Sequence, residues 1–146
     1  MSSGLHKASW ILLLIVGCLL MLASLASAVV AYTQDFGHGG VAISKLAGSN
    51  TDVLFALRGA RSTAAAYGFS FALLHTIIVL GPYRKGERWA WWTLFWGGLA
   101  FGIIALARIP MVGIAIGQHG TPQAMIQTGA ILVGLLLDVG RLKEKT

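Results

Sequence analysis

Four stretches of the chain are nearly unbroken runs of apolar and small residues, and none shows the period-two alternation of a half-buried strand. The first, Trp10 to Tyr32, covers 23 residues, about 34 Å of helix rise, with an aromatic residue at each end where interfacial anchors are expected. The second has its apolar part from Ser62 to Gly81 and is ended by Pro82. Its helix is predicted to start earlier, because Ser49, Asn50, Thr51 and Asp52 supply N-cap candidates and a first-turn acid. The third runs from Trp89 to about Ala107, and its opening WAWWTLFW sets Trp89, Trp91, Trp92 and Trp96 in an interfacial belt. The fourth opens with Thr121 and Pro122, a cap followed by proline at the first helical position, and continues to about Gly140.

In hydrocarbon every backbone polar group must be satisfied within the protein, which leaves helices as the form of these runs. The predicted fold is all-α: an integral membrane four-helix bundle, one transmembrane domain over 1–146, with helices at about 10–32, 52–81, 89–107 and 122–140. The 33–51 connection is glycine-rich and predicts a partly ordered loop without a core of its own. Ile109 to Gly120 reads either as helix three continued past Pro110 or as an interfacial turn. A cleaved signal peptide is the rival for the N-terminus, with Lys7 before an apolar core and Ala26-Ser27-Ala28 after it; the length of the run suits a full span better.

Composition agrees with a membrane solvent: 56% hydrophobic, 11% charged, mean hydropathy +0.76. The net charge of +6 does not point to nucleic acid, since no basic run is interleaved with aromatics on a soluble face. Its distribution points to orientation instead. Lys7, Arg84, Lys85, Arg88, Arg141, Lys143 and Lys145 fall on one side of the four spans, against Lys45, Arg58, Arg61 and Arg108 on the other. The first set marks the cytoplasm, so both termini are expected there. Cys18, the single cysteine, allows no disulfide and reads as a small buried hydrophobe.

Chemistry is sparser. Positions seven apart share a helix face, so Arg61, Gly68 and His75 form one stripe, joined by Ala64 and Ala72, with Arg58 beside it. Gln127, Gly134 and Asp138 make a second stripe, with Gln123 near its outer end. If both face the interior, Arg58, Arg61, Arg108, Gln123 and Gln127 converge on a basic mouth near the outer leaflet, able to hold an anionic group through forked arginine donors. The plainer alternative is that the arginines snorkel to headgroups or pair with Asp52. His75 is expected inside the hydrocarbon, neutral, in an interhelical hydrogen bond. A haem ligand is disfavoured because His6, His38 and His119 lie near or beyond interfaces. No spacing of His, Cys, Asp or Glu pre-organises a metal, no motif requires catalysis, and no cofactor is required.

Arg58 and Arg61 opening helix two, the turn GPYRKGERWAWW, the Ala107-Arg108 end of helix three and GTPQ before helix four together resemble the DoxX-like and related small bacterial membrane proteins. The resemblance spans about Leu57 to Arg141 and implies a four-helix bundle of the bacterial inner membrane, often tied to a partner system, with Asp138 as the acid of the last helix. It carries over no reaction. The expected function is therefore a non-catalytic accessory or scaffolding subunit that binds lipid or a partner membrane protein, in a larger complex or homo-oligomer; the alternative is a quinone- or lipid-binding redox accessory with an interhelical cavity.

Overall fold

The computed structural model describes residues 3–35, 41–112 and 121–142, with the side chains at 3, 108–112, 121–123 and 141 set aside. The chain is all-helical over these residues: α1 (Ser3–Thr33), α2 (Ile43–Ala47), α3 (Thr51–Ile78), a π-turn (Val79–Tyr83), α4 (Arg88–Val112), α5 (Thr121–Leu136) and a closing 3₁₀ turn (Val139–Leu142). Three stretches, Gly4–Thr33, Thr51–Tyr83 and Arg88–Ala107, are long and apolar enough to cross a membrane. The fourth expected span is shorter than 122–140: α5 has 16 residues, about 24 Å of rise against a hydrocarbon core of about 30 Å.

Each boundary has a local cause. Asn50 caps α3, its side chain accepting from the backbone N–H of Asp52 and Val53. Pro82 does not simply stop the helix. The backbone widens by one residue, Arg84 N–H donating to Val79 O at 3.1 Å, and the turn is completed by Gly86 at φ +88°, a conformation open to glycine. α4 runs on through Pro110 to Val112, and residues 113–120 lie outside the described residues.

The 33–51 connection does pack. Ile43 and Ala47 of α2 are buried against α3, and Asp35 receives the backbone N–H of Ser44 at 2.8 Å together with the Ser44 hydroxyl. The end of α1 is thereby tied to the start of α2. These two bonds, the hydroxyl first, hold the Asp35 carboxyl below the usual carboxylate range, and the Arg58 charge acts in the same direction.

α1 packs along α3, α5 packs along α4, and α1 and α5 join the two pairs. Small residues set these approaches. A Cβ at Gly68 would stand 2.9 Å from Ser24 Oγ of α1, and one at Gly17 would run into the Thr76 hydroxyl. Across the other pair, a Cβ at Gly98 would stand 2.8 Å from Ile131 Cγ2, and one at Gly102 would stand 2.6 Å from Thr128 Cγ2. The buried face of α3 holds Ala65, Ala72, His75 and Thr76. Ala64, expected on that face, is exposed; the seam takes the four-residue step from Arg61 instead of the three-residue one.

Large apolar side chains cover the outside: Ile15, Leu19 and Leu22 on α1, Leu74 and Ile77 on α3, Trp96 and Ile104 on α4, Ile126 and Val133 on α5. Cys18 belongs to this outer surface and is not a core residue. Trp89, Trp92 and Trp96 are exposed as an aromatic belt requires, whereas Trp91 is buried in the core.

Candidate functional site

α3 and α4 follow each other in the chain yet touch only sparsely along their length. Between them opens a cleft of about 170 Å³ lined by Phe71, Leu74, His75 and Ile78 of α3 and by Thr93, Leu94 and Gly97 of α4. α3 is held to α1 and α4 to α5 through the close approaches at glycine described above. Phe71 stacks on Phe101 with centroids 5.5 Å apart, linking the two walls at one end. At the other end the π-turn and Gly86 bring α3 round into α4.

His75 is the buried polar group of this cleft, 3% exposed. Its Nε2 bonds Leu13 O of α1 at 3.1 Å. That is the interhelical bond expected from the sequence, and its partner is a backbone carbonyl, which α1 offers because Gly17 lets α3 come close. Thr93 lines the opposite wall, its hydroxyl donating to Trp89 O at 2.9 Å.

A second polar group of residues lies where α1 begins and α5 finishes. Ser9, fully buried, donates to Gly134 O at 2.6 Å, and the Tyr83 hydroxyl meets Ser9 Oγ at 2.6 Å. Ser9 has one hydrogen and gives it to the carbonyl, so Tyr83 is the donor in the second bond. Trp91 Nε1 donates to Leu135 O at 3.0 Å. Carbonyls of the last turn of α5 thus accept from side chains of α1 and α4, Leu135 O in addition to the Asp138 backbone N–H at 3.1 Å. Beside them His6 bridges Asp138 Oδ2 and Arg84 O, both at 3.1 Å, and the Arg84 guanidinium lies 4.9 Å from the centre of the Trp10 ring.

The residues expected at a basic mouth are only partly brought together. Arg58 and Arg61 are half-buried on α3, toward the end where Asp35 lies. Gln127 is half-buried on α5 and does not line the cleft. His75 is about 21 Å of helix rise from Arg61 and belongs to a different site. The side chains of Arg108 and Gln123, like all of His38 and His119, lie outside the described residues.

Sequence reading missed His6, Ser9, Tyr83 and Trp91. Ser9 and His6 are three apart just ahead of the apolar run, and Asp138 just after another, which is the signal that two helix ends share a polar contact. Comparison with protein-family models, with curated proteins and with solved structures gives no match.

Proposed function

We propose that this is a polytopic membrane protein whose helices α1, α3, α4 and α5 form a bundle and whose α3–α4 cleft holds an apolar molecule taken from the bilayer. It acts as a non-catalytic binding or accessory subunit. The observation that carries this reading is the cleft: consecutive helices splayed apart, a buried histidine between them, and an opening onto a surface of Leu74 and other lipid-facing side chains. A bundle built only for support closes such a gap, because unfilled apolar space forfeits packing energy.

The first turns of α1 and the last turn of α5 lie at one end, since Ser9 touches Gly134 and His6 touches Asp138. The excess of basic residues at that end makes it the cytoplasmic one. Lys85→Cys and Lys45→Cys in a background lacking Cys18 test this: an impermeant thiol reagent added outside the cell labels position 45 and spares position 85. The reverse pattern inverts the topology.

Native mass spectrometry of the full chain released from nanodiscs tests the binding reading. A low-mass apolar adduct is expected on the wild type and is lost on Gly97→Leu, which fills the cleft from the α4 side. A spectrum without adducts in either protein overturns the ligand reading, and a stoichiometric second protein retained by both favours a purely scaffolding subunit.

A further inference from the structure

The cleft between α3 and α4 has a chemical bias that follows from where its hydrogens are spent. A carbonyl only accepts, so the bond between His75 and Leu13 O places a proton on Nε2. In the neutral ring the lone pair is then on Nδ1. The Nε2–Cδ2 edge of the imidazole faces α1: Nε2 meets Leu13 O, and Cδ2 lies 3.1 Å from where a Gly17 Cβ would stand. The ring belongs to the lining of the cleft, and the atom opposite its α1-facing edge is Nδ1. It takes part in no hydrogen bond among the described residues. Thr93 repeats the pattern, its one hydroxyl hydrogen given to Trp89 O and the two lone pairs of its oxygen left as acceptors. Phe71, Leu74, Ile78, Leu94 and Gly97 bring no polar side-chain atom.

The cleft is therefore apolar with acceptors and no side-chain donor. We propose that it binds a phenol, a ring-sized apolar molecule that donates its O–H to His75 Nδ1. The size agrees: about 170 Å³ is close to the roughly 150 Å³ of an apolar cavity that takes benzene. Phe71, stacked on Phe101, supplies an aromatic wall. A quinone carbonyl has no hydrogen to give and would set its lone pairs against that of Nδ1, so the acceptor lining selects the hydroxylated ring over the carbonyl one. A free phenol and the phenolic head of a membrane lipid share this chemistry. The inference rests on the proposed binding role of the same cleft and names the class of its occupant.

The test uses the full chain in nanodiscs and two ¹⁹F NMR probes, 4-fluorophenol and 4-fluorotoluene, each referenced to its partition into protein-free nanodiscs. Wild type is expected to hold the phenol about tenfold more tightly than the toluene, the effect of one hydrogen bond in an apolar site. His75→Leu should bring the ratio to about one, and Gly97→Leu should remove both probes. The ¹⁵N resonance of His75 Nδ1 in the wild type, a readout that needs no substitution, should move on adding the phenol and stay on adding the toluene. Equal binding of the two probes with an unmoved ¹⁵N resonance overturns the phenol assignment while leaving the cleft as a binding site. Binding of neither probe overturns both. Competition by 4-nonylphenol carried in the lipid upholds the site and assigns it to a bilayer-borne phenol; failure of that competitor, with 4-fluorophenol still bound, upholds it for a free one.

Discussion

His6 and Asp138 stand 132 positions apart in the chain and meet through Nδ1 and Oδ2 at 3.1 Å. The other ring nitrogen of His6 is on Arg84 O, which requires a proton on Nε2. The Nδ1–Oδ2 bond then needs one more proton, held by the ring or by the carboxyl. Either way the pair is neutral as a unit, which is how a fully buried Asp138 is accommodated.

His6→Ala and Asp138→Asn should each lower stability in detergent by roughly 1–3 kcal/mol, the range for losing a buried charge-assisted bond. The double variant should fall short of the sum by about 0.5 kcal/mol or more. Thermal unfolding of the four proteins gives the coupling directly, and strict additivity would show that the two side chains act independently.

Ser9 takes part in two bonds and Tyr83 OH in one of them. Ser9→Ala should therefore cost more, about 2–3 kcal/mol against about 1 for Tyr83→Phe. The order of the two unfolding midpoints is the measurement, and a larger loss from Tyr83→Phe would mean that the Tyr83 hydroxyl contributes more than its bond to Ser9.

Two glycines of the α4–α5 pair should respond in opposite directions. Gly98→Ala sets a methyl 2.8 Å from Ile131 Cγ2 and should destabilise by roughly 1–3 kcal/mol. Gly129→Ala meets nothing within 4 Å and should be neutral or stabilising by up to about 1 kcal/mol. Equal effects would mean that helix propensity, and not the close approach, governs both positions.

Asp35 gives a pH dependence with a defined sign. Its folded-state value lies below the ordinary one because of Ser44, so its contribution is complete above about pH 4, the unfolded value, and is lost as pH falls through the folded value. Protection of the Ser44 amide and its neighbours in α2, taken as exchange relative to the intrinsic rate at each pH, should fall only below that point. Asp35→Asn should remove the acid dependence; protection that changes between pH 8 and 5 would assign it to another group.

The helices were legible because apolar runs of this length have few other solutions. Their ends were less so. α1 already includes the residues ahead of Trp10 back to Ser3, where His6 and Ser9 find partners on other elements, which a hydropathy profile does not contain. Trp91 and Trp92 are adjacent and identical in type, yet one reaches Leu135 O in the core and the other faces outward, a distinction made by rotation about the helix axis alone. His75 was legible in kind, as a buried interhelical bond, but its partner is a carbonyl of α1 and carries no side-chain signature. An interhelical cavity was among the expectations, but its place between α3 and α4 was not legible, since it arises from which helices pair and not from any one of them.

The bond between Ser9 and Gly134 also sets a clock. The two residues are 125 positions apart, and at a synthesis rate of about 5–20 residues per second the carbonyl is made roughly 6–25 s after the hydroxyl. During that interval the partners of α1 on α3 and at Tyr83 already exist, while Trp91 precedes its acceptor Leu135 by 44 positions. The final helix supplies both missing acceptors together. A chain that stops short of Gly134 lacks the acceptors of both Ser9 and Trp91, which leaves that end of the helices unsealed.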